Sequence, residues 1–145
     1  MIQVLIQVAA GSRDRKIYNE RTLELLETRH GTYSYPYPYG FIVGTSSADG
    51  GAVDCYIITK DKLNAGDFYE CEPIGMLEQY EGDEIDHKVL AALSGQRIEI
   101  TPELQKELQD FIYKIFAEYP DVHILVGPIQ NKETALSHIQ NHQGI

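Results

Sequence analysis

The chain has 145 residues, 43% apolar and 23% charged, with a formal net charge of −10 from 22 acidic against 12 basic side chains. That length suits one domain spanning 1 to 145, and the excess of acid repels polyanions, which counts against nucleic acid as a partner. No apolar run approaches the roughly 20 residues of a membrane-spanning helix, and the N-terminal charges follow the apolar run instead of preceding it, so a cytoplasmic protein without a membrane partner is expected.

In chain order, apolar and β-branched segments at 2 to 8, 39 to 45, 53 to 58, 68 to 77, 88 to 93 and 123 to 126 read as strands, separated by Gly, Asp, Asn and Pro. The segment from 101 to 120 reads as a helix. Leu104, Leu108, Phe111, Ile112, Ile115, Phe116 and Tyr119 follow the 3.6-residue period, with Thr101 as cap, Pro102 in the first turn and Pro120 as stop. A shorter helix is expected from Asn131, as cap, to about His142. Many short strands with late helices predict a mainly β protein with flanking helices (α+β), built on a small barrel.

The row TYSYPYPYG places tyrosines at 33, 35, 37 and 39. On an extended backbone they share one face. That face suits a stacking platform, a proline-rich ligand, a pocket wall presenting hydroxyls to an anion, or aromatics packed on the core. Two acidic clusters flank predicted strands. In DGGAVD, Asp49 lies in a Gly-rich turn and Asp54 begins a strand, so the turn can bring both carboxylates together. In EGDEIDHK, Glu81, Asp83, Glu84 and Asp86 crowd ahead of Lys88. Carboxylates this dense are either a solvated loop or a cation site, and an all-oxygen donor set suits Mg²⁺ or Mn²⁺. Asp86 and Lys88 alternate onto one strand face, which puts a metal ligand beside an anion-binding cation. His87 then points to the opposite face, toward solvent. The five histidines are scattered, and His138 and His142, at helical spacing, show no third zinc ligand. Cys55 and Cys71 read as reduced, buried thiols.

These motifs, in this order, resemble the soluble family I inorganic pyrophosphatases. YPYPYGFI (35 to 42) matches the family's Y-P-x-x-Y-G-x-I, DGGAVD (49 to 54) resembles D-G-D-P-V-D, and residues 75 to 93 match the downstream G-V-L segment whose acidic run ends in D-x-K. The resemblance implies a five-stranded OB-fold-like barrel, homo-oligomeric assembly, and metal-dependent hydrolysis of pyrophosphate to two phosphates. It implies Asp49, Asp54, Glu81 and Asp86 as metal ligands, with glutamate at 81 replacing the usual aspartate. It implies Lys16, Tyr39, Lys88 and Tyr119 as phosphate contacts, Arg29 as another if a two-residue gap is allowed, and Asp54, Lys88 and Tyr39 as the residues nearest the chemistry. On this reading Tyr35 and Pro36 keep the segment extended, and Tyr33 and Tyr37 pack or rim the pocket.

The chain also departs from the pattern. Gly51 stands where the family has the middle aspartate of its signature, Ala52 where it has proline, Gln7 where it has a glutamate on the first strand, and Pro120 where it has a lysine. These changes motivate an alternative: a catalytically degenerate member that binds phosphate, pyrophosphate or a nucleotide.

Overall fold

The computed structural model of the chain describes residues 1–46 and 51–143. The order is β1 (Ile2–Val8), β2 (Asp14–Tyr18), β3 (Leu25–His30), β4 (Tyr39–Ile42), β5 (Asp54–Ile57), β6 (Phe68–Glu81), β7 (Glu84–Ile85), β8 (Lys88–Leu93), α1 (Pro102–Phe116), β9 (Ile124–Gln130) and α2 (Lys132–Asn141). Neighbouring strands run β1-β4-β5-β8-β6, and β6 pairs back onto β1, closing a five-stranded barrel of the OB type. All of these pairings are antiparallel except β5 with β8.

Closure depends on β6, whose 14 residues reach β1 with one end and β7 and β9 with the other. Register shifts at Pro73/Gly75 and Leu77/Gln79 bend it between these partners. Gly40 is equally constrained. A Cβ there would lie 1.8 Å from the Leu5 carbonyl oxygen, so only glycine lets β4 approach β1.

Side-chain alternation divides the apolar residues into layers. Val4, Ile6, Ile42, Cys55, Ile57, Cys71, Val89 and Ala91 come from all five barrel strands and fill the interior, with Ile139 of α2 packed against them. Tyr39, Tyr56, Leu77 and Leu90 face outward under α1, which contributes Leu104, Leu108, Phe111 and Ile112. A smaller outer cluster joins Leu5 and Phe41 to Tyr18 of the β2–β3 hairpin. Both helix starts are capped: the Thr101 hydroxyl accepts from Leu104 N–H at 3.1 Å and the Asn131 carbonyl oxygen from Thr134 N–H at 3.0 Å.

Several expectations need correction. The hairpin of β2 and β3 has no counterpart among the expected strands, because β3 is exposed throughout and carries no alternation. β4 ends at Ile42, ahead of a turn in which Gly44 has φ of 86°. β6 and β9 run past their expected C-terminal ends, and α1 stops at Phe116 instead of reaching Pro120. His87 is half-buried and does not face solvent. Its ring meets Tyr80 edge-on at 5.1 Å and lies 5.5 Å from His138, which lies 4.3 Å from His142. Burial first, then its neighbours His142 and His87, push the His138 pKa down to about 4, so this ring is neutral. Among the described residues, no helix is long and apolar enough to cross a membrane.

Candidate active site

A cavity of about 210 Å³ opens on the outer face of the barrel, between the strands and α1. Strand register assembles its polar wall. Asp54 opens β5 and lies directly beside Lys88, the first residue of β8, so both project from the same face. Tyr39 opens β4 and pairs with Tyr56, two residues beyond Asp54. Asp86, two residues before Lys88, completes the group.

Lys88 is the hub. Its ammonium donates to Asp54 Oδ2 at 2.6 Å, to Asp86 Oδ2 at 3.0 Å and to the Tyr39 hydroxyl at 3.1 Å, although the residue is only 6% exposed. Burial opposes the ammonium, but Asp54 above all, then Tyr39 and Asp86, outweigh it, and the Lys88 pKa stands well above the ordinary lysine value. One cation cannot neutralise two carboxylates. Asp86 records the deficit: burial, with Asp54 and Glu81 adding to it, outweighs Lys88 and pushes its pKa up to about 7. Burial, then Asp54, likewise holds the Tyr39 phenol well above its ordinary value, so it stays protonated.

Glu81, at the end of β6, also lines the cavity, whereas Asp83 and Glu84 are exposed at the turn made by Gly82, with φ of 62°. Arg15 supplies a second cation that the sequence reading did not assign. It lies over the Tyr39 ring at 5.6 Å from the centroid. Burial opposes its charge too, but Tyr39, Tyr35, Asp54 and Glu20 outweigh it and raise its pKa. Ile112, Ile115 and Phe116 of α1 form the apolar wall.

Other expected residues lie elsewhere. Lys16 neighbours Arg15 on β2 and so faces the other way, its Nζ 3.4 Å from where a Cβ on Gly66 would stand. Arg29 is exposed and paired with Glu27 at 2.6 Å. Tyr119 is 58% exposed beyond the end of α1, packed on Phe116 and outside the cavity lining. Asp49 lies outside the described residues. Gln7 is buried, and its Nε2 donates to the Lys16 carbonyl at 3.0 Å. Ala52, beside Gly51, donates its backbone N–H to Glu20 Oε1 at 3.0 Å, which ties the β2–β3 hairpin to the chain leading into Asp54.

The tyrosine row does not form a strand face. Only Tyr39 enters a strand. Tyr35 packs on Tyr39 and Phe111 at 5.3 and 4.8 Å, the Tyr37 hydroxyl donates to Glu107 at 2.6 Å, and Tyr33 lies under Lys114 at 4.5 Å. The rings are spent on α1 and on each other. These four rings therefore do not line up as a platform for stacking bases.

A family model for inorganic pyrophosphatase matches residues 4–144. The chain belongs to the inorganic pyrophosphatase family. Its relatives include the inorganic pyrophosphatase of Nanoarchaeum equitans, 29% identical over 98% of this chain and 95% of the relative. That of Synechocystis sp. is 34% identical over 62% of this chain and 54% of the relative. Solved structures agree on the fold. The inorganic pyrophosphatase of Coxiella burnetii superposes with a TM-score of 0.85 at 21% identity, covering 97% of this chain and 91% of that one. The Thermus thermophilus enzyme gives 0.83 at 22% identity, covering 95% and 86%.

Pyrophosphatases of this family depend on divalent metal, and the donor set suits a hard cation. Asp54, Asp86 and Glu81 are oxygen donors lining one cavity, and with Lys88 and Arg15 counted against them the group still carries a formal charge of −1. Among the described residues, no three carboxylate or imidazole groups close on one point.

Proposed function

We propose that this chain hydrolyses inorganic pyrophosphate to two phosphates in the cavity between β5, β8 and α1. The observation that carries the reading is the convergence of Asp54, Asp86 and Tyr39 on the buried Lys88 ammonium, with Glu81 and Arg15 on the same cavity wall.

Asp54, Asp86 and Glu81 would hold Mg²⁺, or Mn²⁺, as their hard oxygens favour. Such an ion lowers the pKa of bound water and neutralises phosphate oxygens when it is present. The protein's own groups do the rest. Lys88 and Arg15 offset charge on the diphosphate, and Tyr39, kept protonated by burial, accepts from Lys88 and can donate its own O–H to a phosphate oxygen. Ile112, Ile115 and Phe116 exclude bulk water from one side and strengthen these interactions. Lys16, Arg29 and Tyr119 have no place in this arrangement of the single chain.

Mg²⁺ as the working ion, a cytoplasmic location and a homo-oligomeric state belong to the same reading. Two buried free cysteines agree with a reducing compartment. Exposed Tyr113, Tyr119, Val122 and Leu125 around α1 and β9 agree with self-association.

The test is phosphate release from pyrophosphate by the purified protein, with and without Mg²⁺ or Mn²⁺, beside Asp54→Asn. Metal-dependent release that the variant loses is expected. Binding of pyrophosphate with no release would instead support the degenerate, ligand-binding alternative.

A further inference from the structure

Gln79 is 1% exposed and lines the same cavity as Asp54, Asp86 and Lys88. Its backbone is fully engaged. The N–H donates to His87 Nδ1 at 3.0 Å and the carbonyl accepts from Asp86 N–H at 2.9 Å, which fixes Gln79 against the segment that delivers Asp86 and Lys88. Its side-chain oxygen, by contrast, is buried without a partner. The α1 side chains that share the cavity, Ile112, Ile115 and Phe116, have no donor to offer.

An unpaired buried acceptor is destabilising, and methionine or leucine would fill similar volume without that penalty. Three buried side-chain atoms among the described residues lack a partner: Gln7 Oε1, Arg15 Nε and Gln79 Oε1. Two of the three belong to residues lining this cavity, one a donor and one an acceptor. Gln7 differs, because it lies outside the lining and its amide nitrogen is anchored to Lys16. A donor and an acceptor left open in one charged cavity match a ligand that brings both oxygen acceptors and an O–H group. Hydrated phosphate has both.

We propose that Gln79 is a ligand-contacting residue, its side-chain oxygen accepting a hydrogen bond from an O–H group that arrives with phosphate. The inference rests on the cavity's being the phosphate site. The O–H belongs either to a protonated phosphate oxygen or to water in the phosphate's hydration shell.

The experiment measures binding of inorganic phosphate and of sulfate by calorimetry in Mg²⁺, for the wild type, Gln79→Met and Gln79→Leu. Thermal unfolding of each is recorded without metal or anion. The variants should unfold at or above the wild-type temperature and bind phosphate about tenfold more weakly, the equivalent of roughly 1.4 kcal/mol. An equal loss for sulfate assigns the donor to water, and a loss confined to phosphate assigns it to P–OH. Unchanged phosphate affinity would overturn the proposal. So would failure of both variants to fold, which would make Gln79 a structural residue. Absence of phosphate binding in the wild type would overturn the reading of the cavity itself, and this inference with it.

Discussion

The Lys88 ammonium lies 2.6 Å from Asp54 Oδ2, and both residues are nearly buried. A second carboxylate, Asp86, shares the same ammonium at 3.0 Å. Removing the cation by Lys88→Met leaves two mostly buried carboxylates without the ammonium they share. Breaking a buried pair from one side costs about 3–5 kcal/mol. The variant should therefore lose pyrophosphate hydrolysis and unfold at a lower temperature at pH 8. Lowering the pH to 5, where a carboxylate takes up a proton, or adding Mg²⁺ should restore part of the stability. Thermal unfolding under these three conditions checks it, and a loss that neither acid nor Mg²⁺ relieves would count against the charge explanation.

Asp86 gives the wild type its own pH dependence. Burial pushes its pKa up to about 7, so the folded protein holds this proton more tightly than the unfolded chain does. The stability it contributes is complete below the ordinary aspartate pKa and is lost as pH rises through about 7. In chelator, wild-type unfolding temperature should thus fall between pH 5 and 8, and Asp86→Asn should flatten that fall. Mg²⁺ should flatten it too, because a cation in the cavity favours the ionised form.

The YPYPYGFI motif contains a packing requirement separate from the chemistry. Gly40→Ala would place a methyl 1.8 Å from the Leu5 carbonyl oxygen, backbone against backbone, where no side-chain rotation gives relief. The β1–β4 pairing must move, at a cost of about 3 kcal/mol or more. Chemical denaturation should show that loss, and activity should fall with the folded fraction. A stable, active variant would mean that β1 and β4 separate easily.

Much of the barrel was legible because its strands carry their own pattern. β1, β5 and β8 alternate or run apolar between turn residues, and α1 and α2 announce themselves by Thr101 and Asn131 caps. Asp86 and Lys88 were readable as one face because two residues along a strand return to it. What the chain order does not carry is which distant segment covers that face. Gln79 reads as one polar residue among several in EQYEGDE, and only the pairing of β6 with β9 and the segment at Asp86 turns it into the cavity. Nor does the sequence say that His87 meets His138, since that contact depends on α2 folding back against β6.

The hairpin of β2 and β3 sets the last prediction. Resemblance implies Lys16 as one of the phosphate contacts, but β2 turns successive side chains to opposite sides, and it is Arg15 that lies over Tyr39 in the cavity. Arg15→Met removes a partly desolvated cation from the proposed anion site while keeping a similar apolar stem. It should lower kcat/KM for pyrophosphate about 10²-fold, of the order found when one preorganised charge-stabilising donor is lost. Lys16→Met should change kcat/KM less than about threefold, since its ammonium points toward Gly66. Steady-state phosphate release by the two variants decides between the adjacent residues. A large loss in Lys16→Met with little in Arg15→Met would mean that β2 presents its other face to the substrate.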